Sequence, residues 1–237
     1  MRSGISSNKI SVIIPVYNES EGIAGLLEYL QKVFKPGECE IILADGGSDD
    51  DTVEIASDYP CRIVVSPDKG RAAQMNYGAR LAEGEIFYFL HADTYPPENV
   101  TSLIRSALSK SEVAAGCFQL RFDHDHPALK LYSWFTRFDV DLFRFGDQSL
   151  FIERQAFDKS GGFDEDLIVM EDQEIINRIR KEGGFRLMEE YVQTSARKYK
   201  KVGLYKLQLI FTLITILYYL GVPQAVLVHF YRTMIPG

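Results

Sequence analysis

Along the first hundred residues, apolar runs of strand length alternate with stretches of helical period. Residues 10–16, ISVIIPV, form a continuous β-branched run, the pattern of a strand covered on both faces of a parallel sheet. Ser20, followed at helical spacing by Ile23, Leu26, Leu27 and Leu30, predicts a capped amphipathic helix. Further strands are predicted over 40–44, 62–65 and 85–90. An Asp45-Gly46-Gly47-Ser48 turn and a short helix from Asp51 separate the first two of these, and a helix over 71–82 precedes the last. Strand, helix and strand at this spacing mean βαβ units and an open, doubly wound α/β sheet. Ligands of such sheets bind beyond the carboxyl ends of the strands. After Pro96-Pro97, which opens another helix, the pattern predicts a strand over 114–122, an aromatic helix over 128–138 and a short strand over 148–152. A helix then runs from Glu171 to about Lys181.

The end of the chain breaks this pattern. Five cations (Arg197, Lys198, Lys200, Lys201 and Lys206) stand together with no acid among them, and no formal charge follows from Leu207 to Tyr231. The stretch 207–222, LQLIFTLITILYYLGV, is apolar nearly all round, so its helix cannot be an ordinary half-solvated one. It falls short of the roughly 20 residues a spanning helix needs before Gly221 and Pro223 interrupt it. Three readings stay open: docking on an anionic membrane surface, a buried or subunit-interface helix pair that would make a homodimer, and a true span. The shift divides the chain into a domain over 1–200 and an apolar helical appendage over 201–237.

Composition narrows the class. With 237 residues, 46% hydrophobic and 25% charged, the chain can bury a full core, and disorder is not expected. A net charge of −7 argues against a nucleic-acid partner. Cys39, Cys61 and Cys117 are odd in number and lack zinc spacing, which fits reduced thiols in the cytoplasm. Residues 1–9 are polar, so no secretory signal is expected.

Candidate chemistry falls at the ends of the predicted strands. Asp45 with Gly46 and Gly47 suits a nucleotide, supplying an acceptor and close backbone approach, and equally suits an Asx turn feeding a helix. Arg71, opening a helix after Asp68-Lys69-Gly70, suits a phosphate or base carbonyl, or is a solvated surface cation. His91 and Asp93 alternate at a strand end and can face one crevice as ligands for Mn²⁺ or Mg²⁺; Asp93 could instead cap the following helix. Glu171-Asp172 opens a helix as favourable dipole capping or as a general base. The His124-Asp-His126 pair has metal-like spacing but no third ligand nearby and reads as a solvated loop. Trp134 and its aromatic neighbours, and Cys117, read as core.

Together these segments resemble the family 2 glycosyltransferases of the GT-A fold. The resemblance covers nearly the whole first 190 residues and rests on ISVIIPVYNE, ADGGSDDDT, GRAAQMNYGARLAEGEIFYFLHADT and GGFDEDLIVMEDQEIINRIRKEG. GRAAQMN, LHADT and TSARKY are more narrowly similar to a bacterial subgroup whose members are encoded near radical-SAM or selenium-related genes. The resemblance implies a Rossmann-like, mixed but mostly parallel sheet with helices on both faces. It implies that Pro15, Tyr17 and Glu19 line a base and ribose pocket and that Asp45 contacts the base. Arg71 would reach the base or diphosphate, with Ala92 also at the donor. Asp93 would bind a divalent metal, and Asp172 would be the catalytic base. His91 stands where the family's Asp-x-Asp has its first carboxylate, which bears on metal identity. The Gln-x-x-Arg-Trp motif of processive synthases is absent, with Gly146-Asp147-Gln148 upstream of the Glu-Asp pair instead.

The expected activity is therefore non-processive, inverting transfer from a nucleotide-diphosphate sugar to a hydroxyl acceptor, lipid-linked if the tail docks at the inner face of the cell membrane. A sugar nucleotidyltransferase is a rival, but would want a Gly-rich loop where Tyr17-Asn18-Glu19 stands. A membrane-associated binding protein with a vestigial sugar site is the non-enzymatic rival.

Overall fold

The computed structural model describes residues 9–140, 143–144, 146–182 and 184–235. Its first half is a parallel βα array: β1 (Ile10–Val16), α1 (Ile23–Val33), β2 (Cys39–Asp45), α2 (Thr52–Ser57), β3 (Arg62–Val65), α3 (Arg71–Leu81) and β4 (Ile86–Phe89). Then follow β5 (Thr94–Tyr95), α4 (Val100–Leu108), β6 (Ala115–Phe122), α5 (Pro127–Phe135), a 3₁₀ turn (Gly146–Gln148), β7 (Phe151–Glu153) and α6 (Arg154–Ser160). The chain closes with α7 (Glu171–Glu182), β8 (Phe185–Thr194), α8 (Arg197–Val202), α9 (Leu204–Tyr219) and α10 (Gln224–Met234). Among the described residues the strands form one sheet in the order β3-β2-β1-β4-β7-β6-β8-β5. It is parallel from β3 to β4, antiparallel on both sides of β7, and parallel again between β6 and β8.

Period-two alternation sends the two faces of β1 to different helices. Ile10, Val12, Ile14 and Val16 join α1 (Ile23, Leu26, Leu27, Leu30) and α4 (Val100, Ile104) in one core. Ile13 joins α3 (Ala72, Met75, Ala79) and α7 (Ile175, Ile176, Ile179) in the other. Helices thus cover both faces, which is why ISVIIPV carries no polar alternation. A third cluster joins Leu129 of α5 to Tyr199 of α8 and to Leu207, Ile210 and Ile214 of α9. The expected boundary at residue 200 falls within α8.

Several local expectations change. Ser20 does not cap α1; the helix starts after Gly22 without a side-chain cap, and the Ser20 amide donates to Asp50 Oδ2 at 3.1 Å. The aromatic helix ends at Phe135, and Trp134 is 45% exposed rather than core. The strand predicted over 148–152 begins at Phe151, because Gly146–Gln148 is a 3₁₀ turn. The helix after the two prolines starts only at Val100. β8 escaped the pattern: FRLMEEYVQT carries Glu189 and Glu190 mid-strand, and β6 specifies it by pairing across a register shift between Cys117 and Gln119. Cys117 is fully buried on β6 as read from the sequence, and burial pushes its thiol up to about 12. His126 caps α5, its Nδ1 accepting the Ala128 amide at 3.2 Å, so that ring serves the helix start.

Candidate functional site

The parallel register places three loops along one edge. Val16 lies opposite Asp45 and Ile13 opposite Phe89, so residues 17–20, 45–50 and 91–93 leave the sheet side by side. Gln74 on α3 ties the first two strands, donating Nε2 to the carbonyls of Val16 and Ala44, each at 2.7 Å. Gly46 packs under that amide; a Cβ there would come to 3.0 Å from Gln74 Nε2. Asn18, at φ 55°, exchanges hydrogen bonds with Asp49 through its Nδ2 (2.7 Å) and Oδ1 (3.0 Å). Asp50 accepts from the Thr52 hydroxyl and from both the Ser20 and Thr52 amides. These bonds, the hydroxyl's first, hold its carboxyl down at about 2.

Asp45 is 2% exposed, and its carboxylate folds back on its own loop, accepting from the Gly47 amide at 2.9 Å and the Ser48 hydroxyl at 2.5 Å. The Asx turn read from the sequence is therefore present. Pro15 is buried within β1, whereas Tyr17 is 53% exposed at the strand end. Ala92 packs into the core between His91 and Asp93.

The remaining candidates gather into one charged cluster. Arg71 Nε donates to Glu171 Oε1 at 2.5 Å, and its Nη2 pairs with Glu171 and, at 3.0 Å, with Asp172 Oδ2. Arg71 thus remains 41% exposed but is not a free surface cation, because it pairs from α3 with the first turn of α7. Glu171 is fully buried; burial pushes its carboxyl up, Arg71 opposing and the Asp172 charge adding to the rise. His91 Nδ1 meets Asp147 Oδ1 at 2.8 Å. Burial and the Arg71 charge work against a charged imidazole, but the Asp147 contact, helped by the Asp172 charge, raises its pKa overall. Asp93 lies nearby, its carboxyl pushed up to about 6 first by burial and then by the Asp147 charge, with Glu19 adding to the rise. His91 and Arg197 act in the opposite direction on Asp93. Glu19 Oε2 pairs with Arg197 at 2.7 Å, so the first turn of α8 reaches back to the β1 loop.

Asp147 and Arg197 belong to this cluster, although sequence reasoning assigned Asp147 no role and placed Arg197 only in the basic run before the apolar tail. The signal for Asp147 was Gly146-Asp147-Gln148 itself, a polar triplet in an aromatic stretch. Gly146 shows why that triplet is small at its head: a Cβ there would overlap the Asp172 carboxylate and come to 2.7 Å from His91 Cε1. Gly146→Ala should therefore displace the two side chains it separates. We expect turnover to fall about ten-fold or more with a stability loss of about 1–3 kcal/mol, read by steady-state rates and thermal melting. Parent turnover in that variant would show that this packing is not required.

The residues fit an open cation site rather than a closed cage. Among the described residues no three His, Cys, Asp or Glu side chains converge as a metal-ligand set. A half-buried carboxyl pushed up by desolvation first and by neighbouring carboxylates next is nevertheless where a cation is favoured. Divalent ions held by one or two carboxylates complete their shell with substrate phosphates. Asp93 would be the ligand, with His91 or Asp147 beside it.

Comparisons with known proteins identify the fold and the family. A mannosyltransferase, PcManGT from Pyrobaculum calidifontis, solved with GDP-Man and Mn²⁺, superposes with a TM-score of 0.70 at 17% identity, over 95% of this chain and 69% of that one. S. aureus TarS 1–349 with UDP-GlcNAc gives 0.67 at 17% identity, over 88% and 66%. These likenesses show a shared GT-A fold. In sequence, the chain is 32% identical over 114 residues to a dolichol-phosphate mannosyltransferase of Pyrococcus furiosus, 46% of this chain and 32% of that protein. It is 34% identical over 110 residues to an undecaprenyl-phosphate 4-deoxy-4-formamido-L-arabinose transferase of Proteus mirabilis, 42% of this chain and 34% of that protein. The matched part therefore spans about a third of the length of these two relatives. The profile of glycosyl transferase family 2 matches residues 11–161. That match takes in the strand ends carrying Glu19, Asp45 and Asp93 and the turn carrying Asp147, and it covers well over half of the sequence: the chain belongs to glycosyl transferase family 2.

Proposed function

We propose that the chain transfers a sugar from a nucleoside-diphosphate donor to a hydroxyl acceptor presented at a membrane surface, with inversion. The observation that carries this reading is the convergence of Arg71, His91, Asp93, Asp147 and Asp172 at the carboxyl edge of the sheet. In the proposed arrangement Tyr17 and the 45–50 loop face the base and ribose, while Asp93 faces the diphosphate. A divalent cation, Mn²⁺ or Mg²⁺, bound at Asp93 would neutralise charge developing on the leaving diphosphate. Arg71 occupies one oxygen of Asp172, leaving Oδ1 to take the acceptor proton. Holding acceptor and donor in line at this edge would supply much of the remaining rate.

Membrane contact is supported by the outer face of the tail. Tyr205, Leu209, Leu213, Ile216 and Leu220 are exposed at helical spacing along α9 and its end, and Leu131 and Trp134 are exposed on α5, which shares its cluster. Lys200, Lys201 and Lys206 are exposed in the same stretch, whereas Arg197 and Lys198, also exposed, pair with Glu19 and with Tyr231. No helix among the described residues is long and apolar enough to cross a membrane. An apolar stripe rimmed by cations suits the interface of an anionic bilayer, each cation contributing about 1 kcal/mol.

A second reading is favoured by the relatives whose names give dolichol phosphate and undecaprenyl phosphate: the acceptor is a lipid phosphate. Such a phosphate is already ionised and needs no base.

Anionic liposomes containing a polyprenol or a polyprenyl phosphate, with labelled GDP-mannose or UDP-N-acetylglucosamine and Mn²⁺, test both readings. We expect the protein to sediment with liposomes in a manner only partly reversed by salt, and label to enter the lipid. Leu209→Glu with Ile216→Glu should release it. No sedimentation, together with a dimer that the same substitutions dissociate, would make the tail a subunit interface and leave the acceptor soluble.

A further inference from the structure

α7 carries Glu171 and Asp172 at its first two positions, so the backbone just before it decides where both carboxylates stand. That backbone is unusual. Met170 has φ 73°, a left-handed conformation for a side chain long enough to disfavour it, and its carbonyl accepts the Glu174 amide at 3.0 Å to start the helix. Non-glycine residues persist there only where their surroundings over-determine them.

Those surroundings are the tail. Gln224, at the start of α10, donates Nε2 to the Val169 carbonyl at 3.0 Å and accepts the Val169 amide at 3.5 Å, so both amide atoms are matched. Thr215 on α9, whose hydroxyl donates to the Phe211 carbonyl at 2.9 Å, sets that oxygen 4.0 Å from Met170 Sδ. On the far side, the Tyr219 hydroxyl donates to Oε1 of Gln173 at 3.3 Å. Gln173 is 2% exposed and follows Asp172 directly. Val169 and Met170 also pack against the apolar cluster of α9. The segment 169–173 is therefore held from both ends by α9 and α10, while Arg71 holds the carboxylates between.

We propose that Gln224 and Tyr219 are positioning residues of the transfer site, acting through Val169 and Gln173 to set Asp172 against the acceptor. The proposal rests on the reading of Asp172 as the base. The tail is then part of the site's frame and not only a docking surface. A small displacement of a reacting group is enough to lower turnover while leaving the base and ribose pocket, built on the loops after β1 and β2, unchanged.

Gln224→Leu and Tyr219→Phe, singly and together, test this beside Asp172→Asn and a control, Thr233→Ala, whose hydroxyl bonds only within α10. The readouts are amide hydrogen exchange over residues 168–176, melting temperature, and nucleoside-diphosphate release from GDP-mannose or UDP-N-acetylglucosamine with Mn²⁺. We expect exchange in the first turn of α7 to quicken about ten-fold, kcat to fall about ten-fold and donor KM to stay within about two-fold. Tyr219→Phe removes one hydroxyl at a half-exposed ring, so it keeps the test valid if the double variant melts early. Exchange and kcat matching Thr233→Ala, beside an inactive Asp172→Asn, would overturn the proposal and leave the base reading standing. An Asp172→Asn protein that keeps its turnover would overturn the base reading and the proposal with it.

Discussion

Asp172→Asn is expected to bind nucleoside-diphosphate sugar as the parent does and to turn over about 10²-fold or more slowly. The substitution keeps the size of the side chain, and its amide oxygen can still accept from Arg71, which lies at 3.0 Å in the parent. What it removes is the proton acceptor beside that contact. Isothermal binding of the donor and steady-state transfer rates separate the two effects. Turnover within a few-fold of the parent would exclude Asp172 as base, and would be the result expected if the acceptor were a lipid phosphate already ionised at neutral pH.

Asp93→Asn should do two opposite things. Its carboxyl is pushed up to about 6, by burial first and by the charge of Asp147 next. The folded protein therefore holds a proton that the unfolded chain releases as pH rises from the ordinary carboxylate range. This contribution to stability is complete at low pH and is lost as pH climbs through about 6. Above that, the cation-free protein carries the full cost of an ionised group crowded by other carboxylates. Asparagine removes that cost, so the variant should gain on the order of 1–3 kcal/mol at pH 8 and much less at pH 4. Any enhancement of GDP or UDP binding by Mn²⁺ should vanish in the same variant. Thermal melts across pH and binding with and without Mn²⁺ read both. Retained metal-enhanced affinity, or a variant less stable than the parent at pH 8, would remove Asp93 from the cation site.

The two predictions differ in how far they were legible beforehand. Both residues were singled out by their place at a strand end or helix start and by the family resemblance of LHADT and MEDQE. Residue type and position could not say what surrounds them. Arg71 lies a hundred positions before Glu171, and the contact that pairs it with two carboxylates exists only once α3 and α7 pack on one face of the sheet. Asp147 drew no role from the sequence because its partner, His91, is 56 positions away. The aromatic stretch around Trp134 misled for the same reason. Its composition suits a core, and only the packing of α5 against α9 shows that Leu131 and Trp134 lie outside it.

Local chemistry by itself determined the parallel half of this protein, because an uninterrupted β-branched run can be buried only between two helix layers and turn residues bound each strand. It likewise determined that acids and an arginine stand at strand ends and helix starts, since those positions follow from the order of elements. Tertiary structure alone decided β8 in the second half of the sheet, a charged strand specified by pairing with β6 and not by its own pattern. It also decided that Glu19 meets Arg197, and that the apolar tail clamps the residues before Asp172. Those contacts join segments 46 to 178 residues apart, and no local pattern encodes a pairing across such distances; it arises when independent elements bury their apolar faces against a common sheet.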